Sequence, residues 1–374
     1  MNTNPQDIYN TASDSAIPAS PVTPPPGAGN VFYVPYPVPQ QRRSIITTFF
    51  VLVFGLMLFG FCAFMLLTFS LAAIPVAFQA ASLQMEDAPL PTKFVSGDKD
   101  AKNKIAVLTV SGTIVGNDEG FVQKQISEIS RDKNIKAVVL RVVSPGGTIS
   151  GSDYYYEELK KMKKTRNIPI VVSMGAVAAS GGYYVSMVGD EIYAEPTTMT
   201  GSIGVIAPMY DLAELCAKIG VHSNPIVSGP HKAMGDITKP MSDEEKKIWQ
   251  ALIDDNFTRF KNVIKEGRTV FANNPEKLDA IATGQVYTAD QALANGLIDK
   301  IGFLNDASKR AMELVGLTEN NSVVVKYATT KGLVDILLES KASENAVQTR
   351  LLNVMTSPQL YYLMPGALPD FREE

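Results

Sequence analysis

Ser180 stands in the run SMGAVAASGGYYVSM (residues 173–187), between Ala179 and Gly181, with Tyr183 and Tyr184 close behind. Small residues supply little core volume, and glycine carries an entropic cost wherever it sits. A run of them marks a place where backbones, or a backbone and a ligand, approach closely. One chemistry that uses a serine in such a place is nucleophilic acyl transfer. The serine follows an apolar strand-like stretch and opens the next helix. That position aims a side chain at the carboxyl end of the sheet, where open α/β folds bind ligands. The logic is that of a nucleophile elbow, although G-x-S-x-G itself is not matched. Close helix packing through Ala, Ser and Gly accounts for the same letters, and the two readings stand side by side.

A second glycine-rich turn, VVSPGGT (residues 142–148), also lies between an apolar strand and a helix. Without a Cβ, Gly146 and Gly147 can turn backbone N–H groups towards a bound oxygen. A phosphate cradle is not expected, because neither the P-loop Lys-Ser/Thr pair nor G-x-G-x-x-G is present. An oxyanion hole is one use, with the Gly181 N–H joining Gly147; a simple strand-to-helix turn is the plainer one. A nucleophilic serine also needs a base. The chain has two histidines, His222 and His231, so a Ser-His-Asp triad has few recruits. The alternative is a lysine whose neutral amine takes the hydroxyl proton. Lys232, in the Gly/Pro-flanked stretch VSGPHKAMGD after the strand-like NPIVS, stands apart from other lysines. Lys246, Lys247 and the run around Lys160 to Lys164 fall on polar helix faces.

The elements that must position these residues alternate. KIAVLTVSG, IKAVVLRVVS and IPIVVSM read as strands, EIYAEP and GSIGVIA as further short ones. Helical stretches lie between them, including residues 119–132 and SGSDYYYEELKKMKKTR. Near-continuous apolar strands separated by helices give an α/β class with a parallel sheet. Ser242 with Glu245, and Thr288 with Gln291, form capping boxes that open two later helices, the second closed by Gly296.

Upstream, residues 1–43 are Pro-rich and read as a disordered tail. From Ser44 to Met85 there is no Asp, Glu, Lys or Arg, more than the roughly 20 apolar residues a bilayer core demands. The run is too long for the ~7–15-residue core of a signal peptide, so residues 44–80 are expected to be an uncleaved anchor. Arg42 and Arg43 precede it and no basic residue follows until Lys93, which places the N-terminus in the cytosol and the rest outside. A hairpin returning to the cytosol is the alternative, given the length, Gly60 and Pro75. Residues 81–103 read as a linker, 104–320 as the folded domain and 321–374 as a C-terminal extension. That extension carries the apolar patch Leu360 to Met364. Packing on the domain explains it; occupation of a substrate groove is the sharper expectation.

Composition narrows the function classes. A net charge of -4 with no Lys/Arg cluster argues against nucleic acid as a partner. The two cysteines, Cys62 and Cys216, exclude a disulfide framework. With no CxxC or HExxH spacing, neither a metal nor another cofactor is expected.

Taken together, VVSPGG, MGAVAASGGYY, TGSIGV and SGPHKAMGD resemble, in order and spacing, the motifs of bacterial signal peptide peptidases of the SppA type. The resemblance covers roughly residues 104–315. It implies a membrane-anchored serine protease on the ClpP/crotonase-like fold, cutting signal-peptide remnants and needing no cofactor. Carried over by motif, Ser180 is the nucleophile and Lys232 the general base. Ser202 orients the lysine amine, and Gly147 and Gly181 form the oxyanion hole. The short, single-dyad length is similar to family members that complete their sites by homo-oligomerisation. One departure is HKAMGD, where relatives often read HKD. A crotonase-like acyl-CoA enzyme leaves Ser180 and Lys232 without a role, and a catalytically silent membrane scaffold remains the other class.

Overall fold

The computed structural model describes residues 49–50, 52–61, 64–65, 89–116, 120–328 and 360–364. The chain divides into two compact units, residues 1–86 and 87–374. In the first, α1 (residues 52–61) is helical and its side chains are exposed all round. No helix among the described residues is long and apolar enough to cross a membrane. The rest of the anchor expected over residues 44–80, and the Pro-rich tail, lie outside the described residues.

The second unit is built on a mixed sheet in the order β1 (Thr92–Gly97), β10 (Ser322–Tyr327), β2 (Asn103–Ser111), β3 (Ile135–Ser144), β5 (Ile170–Ala179), β6 (Glu191–Ala194) and β9 (Lys300–Ile301). From β10 to β9 each neighbour is parallel, while β1 runs antiparallel to β10. Two short strands branch from this path: β7 (Met199–Gly201) lies parallel to the end of β5, and β8 (Val286–Thr288) antiparallel to β7.

The unbroken apolar runs are explained by burial on both faces. On β2, Ala106, Leu108 and Val110 face one core while Ile105 and Val107 face the other, as the two-residue period requires. The larger core is closed by α2 (Phe121–Arg131) through Val122, Ile126 and Ile129, and by α3 (Ile149–Arg166) through Tyr155, Tyr156, Leu159 and Met162. The opposite face is covered by α10 (Leu304–Leu314), with Ala307, Ala311 and Met312. Both capping boxes are formed, on α6 (Asp243–Gly267) and α9 (Ala289–Asn295), and Gly296 ends α9 at φ 80°.

Four expectations from the sequence are corrected. Residues 92–97, placed in a linker, are the edge strand β1. Residues 322–327, placed in the C-terminal extension, are β10, seated between β1 and β2 with Ser322 to Val325 buried. NPIVS is exposed and not a strand, and GSIGVIA supplies only the end of β7 and an isolated bridge at Ile206. The segment between β7 and α6 contains α5 (Ala213–Lys218), which has no buried residue.

Candidate active site

Ser180 occupies the single position between β5 and α4 (Gly181–Ser186), with φ 52° and ψ −113°. Two backbone bonds hold it there: its N–H donates to the Gly201 carbonyl at 2.8 Å, and its own carbonyl accepts from the Tyr184 N–H at 2.8 Å. The residue is completely buried, and its Oγ has no hydrogen-bond partner among the described residues. A buried hydroxyl without a partner is costly. Here it stands at a backbone angle that side-chain-bearing residues avoid, the combination that marks functional strain.

The small residues around it are enforced by close approach. A Cβ on Gly181 would strike Ser152 Oγ and stand 3.2 Å from both Gly146 Cα and the Gly147 nitrogen. One on Gly182 would lie 2.8 Å from the Ser144 carbonyl oxygen. The SPGG turn therefore packs directly on the start of α4. Its last residues form β4 (Gly146–Thr148), fixed from one side by Ile114, whose N–H donates to the Gly146 carbonyl at 2.9 Å and whose carbonyl accepts from Thr148 N–H at 2.8 Å. Ser144 Oγ donates to the Gly112 carbonyl at 2.6 Å and accepts from Gly146 N–H at 3.1 Å. By the alternation of a strand, Gly147 turns its N–H to the side away from Ile114.

That side is occupied. Residues 361–363 form β11 (Tyr361–Leu363), antiparallel to β4 with Tyr362 opposite Gly147 and Leu363 opposite Gly146. On its other edge Tyr361 exchanges both backbone bonds with Ile206, at 2.9 and 3.0 Å. Gly146, at φ 105°, has no room for a Cβ: the Tyr362 carbonyl oxygen occupies that space, and the Gly181 nitrogen lies 2.8 Å from it. The Tyr362 ring is wholly buried, stacked on Tyr184 (centroids 5.2 Å apart) and packed against Phe260 (4.6 Å). Burial, then the hydrogen bond its hydroxyl donates to Asp153 (2.6 Å), push the Tyr184 phenol far above the ordinary tyrosine range. Asp153 is gripped in turn by both oxygens on Arg259 Nη2, at 2.7 Å each.

Of the residues expected from sequence, Ser180, Gly181 and Gly147 come together. Ser202 is buried at φ 49°, next to the Gly201 carbonyl that anchors Ser180, with its N–H on the Gln285 carbonyl at 2.8 Å. Lys232 does not join them within one chain. It is exposed in a turn where its N–H donates to the Gly229 carbonyl at 3.1 Å, and its amine has no partner among the described residues. The physical reason is its segment, which buries almost nothing between residues 213 and 232. His222 is exposed, and His231 sits 3.7 Å from Glu244, so no histidine serves Ser180 here. No cluster of metal-ligating side chains occurs among the described residues. Sequence reasoning named Gly146 in the glycine pair but gave it no role of its own, and it passed over the Tyr184–Phe260 wall, which nothing local connects to Tyr362.

A family model for "Peptidase family S49" matches residues 162–318. Protease 4 of Salmonella typhi is 36% identical over 229 residues, covering 59% of this chain and 36% of that protein. Protease 4 of Haemophilus influenzae is 36% identical over 228 residues, with the same coverage of each chain. A putative signal peptide peptidase SppA of Enterococcus faecium is 36% identical over 256 residues, covering 65% of this chain and 73% of that one. The chain thus spans about a third of the length of the two Protease 4 relatives. With nearly three quarters of the Enterococcus protein aligned and the family match running through Ser180, Ser202 and Lys232, the chain belongs to peptidase family S49.

Proposed function

We propose that the protein is a serine endopeptidase that hydrolyses apolar, extended peptides such as cleaved signal peptides, on a ClpP/crotonase-like superhelix. The observation that carries this reading is the buried Ser180 Oγ, without a partner among the described residues and held at positive φ beside the amides of Gly147 and Gly181. Ser180 Oγ attacks the peptide carbonyl carbon while its proton passes to the neutral amine of Lys232. The oxyanion so formed is held by the N–H groups of Gly147 and Gly181. Collapse breaks the C–N bond, the lysine returns the proton to the departing amine, and water then releases the acyl group from Ser180. Losing one oxyanion donor costs on the order of 100- to 1,000-fold in turnover.

Lys232 comes from a neighbouring copy of the chain, in a homo-oligomer, with Ser202 orienting its amine. Its exposed segment carries unburied Leu215, Ile219, Val221 and Ile226, an apolar surface that a second copy would cover. Burying an amine in such an interface favours the uncharged form a base needs. The anchor spans the membrane once from a cytosolic N-terminus, leaving the catalytic unit outside. In support, α1 is apolar on every face, a pattern that suits lipid better than water.

A fluorophosphonate probe tests the assignment. Labelling at Ser180 is expected to vanish in Ser180→Ala and Lys232→Ala. Mixing those two inactive variants and letting subunits exchange should restore labelling at about a quarter of sites, as random pairing in a symmetric oligomer dictates. A chain that never labels sinks the hydrolase reading; labelling that no mixture restores sinks the shared site.

A further inference from the structure

We propose that Ser144 is a positioning residue for the candidate active site: its hydroxyl pins the turn that aims the Gly147 N–H at the substrate oxygen. The role rests on the hydrolase reading and falls to a residue that the mechanism leaves unused. Ser144 ends β3 and lies level with Ala178 on β5, two residues before Ser180. It is completely buried. A hydroxyl in such a place is costly unless its proton and a lone pair both find partners. Both do. Oγ donates to the Gly112 carbonyl at 2.6 Å and accepts from the Gly146 N–H at 3.1 Å.

Those two partners belong to the two backbones that build the turn. Gly112, at φ 71°, follows the last residue of β2 and leads in two steps to Ile114. Ile114 brackets Gly147, its N–H on the Gly146 carbonyl and its carbonyl on the Thr148 N–H. The Gly146 carbonyl and the Gly147 N–H share one peptide plane and point opposite ways, so whatever holds the first aims the second. Gly146, at φ 105°, has no Cβ to limit its torsions. Its orientation is set instead by bonds on both sides: Ser144 Oγ holds the plane before it and Ile114 the plane after it. The Ser144 carbonyl oxygen also fills the space a Gly182 side chain would need, 2.8 Å from that Cβ position. One residue therefore backs the SPGG turn and the start of α4 together. Alanine at 144 keeps the backbone but takes the acceptor from the buried Gly146 N–H and frees the Gly112 carbonyl. Threonine keeps the hydroxyl.

The test follows fluorophosphonate labelling of the detergent-solubilised full chain, separating the maximal labelling rate from the probe concentration that gives half of it. The phosphoryl oxygen of the probe takes the oxyanion's place, so a displaced Gly147 N–H slows the bond-forming step rather than probe binding. Ser144→Ala is expected to lower the maximal rate about 10- to 100-fold, the scale of a misplacement of roughly 1 Å. The half-maximal concentration should move less than about 3-fold, the pattern of an interaction made only in the transition state. Ser144→Thr should recover most of the lost rate. Far-UV circular dichroism shows whether each variant is folded at the assay temperature. Should the alanine form fail to fold, Ser144→Cys takes its place: the bulk is similar, sulfur is a weaker hydrogen-bonding group, and a fall in the same direction is expected. An unchanged maximal rate in a folded variant, a loss confined to the half-maximal concentration or the melting temperature, or a threonine form as slow as alanine overturns the positioning role and leaves the hydrolase standing. A wild-type chain that never labels sinks the hydrolase reading and takes this role with it.

Discussion

Ser180 offers a direct measure of how much strain the candidate site stores. At φ 52° and ψ −113° it lies outside even the small left-handed region open to ordinary residues. Such positions cost of order 1–3 kcal/mol, and this one belongs in the upper half, about 2–3. Comparing Ser180→Gly with Ser180→Ala isolates the backbone contribution, because both lack the hydroxyl and differ only in a Cβ. Glycine removes the strain but adds roughly 0.5–1 kcal/mol of chain entropy to the unfolded state. It also forgoes about 0.8 kcal/mol of methyl burial at this enclosed position. The strain relief wins by about 1 kcal/mol, so the glycine form should melt about 2–4 °C above the alanine form in a domain of this size. Thermal denaturation followed by far-UV circular dichroism is sufficient, with a fluorophosphonate confirming that neither variant labels. An alanine form that melts at or above the glycine form refutes the reasoning: the backbone at 180 would then not be held against its preference.

Gly147 should not tolerate a side chain, since a Cβ there meets the backbone of Ile114, which cannot rotate away. Gly147→Ala is expected to slow fluorophosphonate labelling by on the order of 100-fold or more; wild-type rates would mean that the turn relaxes freely. Tyr183 is wholly buried and its hydroxyl donates to the Leu297 carbonyl at 2.8 Å. Tyr183→Phe should cost about 1–3 kcal/mol in urea denaturation by stranding that acceptor, and an unchanged midpoint would contradict it. The Glu245 carboxyl, bonded first by Lys239 and then by the Ser242 N–H, is held down at about 2 against an ordinary 4.5. A carboxyl lowered on folding contributes stability above the unfolded value and loses it as pH falls through the folded one. Wild type should therefore lose stability faster than Glu245→Gln between pH 4.5 and 2; parallel curves would refute the contribution.

What the sequence made legible was local. The parallel-sheet class followed from apolar runs at strand length, because strands buried on both faces leave no polar alternation to confuse the pattern. The capping boxes at Ser242 and Thr288 were readable because their partners lie three residues away. The crowding around Ser180 was visible as composition, although its cause, the SPGG turn packed on Gly181 and Gly182, required coordinates. The misplacements were non-local. SVVVKY is ordinary strand sequence, but its seat between β1 and β2 depends on a partner more than two hundred residues away, so the chain order made it look like a tail. Tyr362 likewise gave only an apolar patch, since its cage is assembled from α4 and α6 and neither betrays that use in its own letters.

Lys232 sets the hardest problem, because motif and single-chain geometry disagree and both are well founded. Lys232 lies in an exposed turn, and the Ser180 hydroxyl has no partner among the described residues. Two incomplete halves on one chain are resolved if the chain repeats, each copy lending its arm to the next. Ile226 sharpens this. It is an isoleucine six residues before the lysine, fully exposed and flanked by exposed Val227. Ile226→Asp places a charge in the proposed interface without touching β4, β5 or α4. Mass photometry of the solubilised protein should show the assembly falling towards single chains, with fluorophosphonate labelling lost in parallel. Labelling that survives in the dissociated protein would show that Ser180 finds its base within its own chain, and would remove the reason for an assembly at the catalytic step.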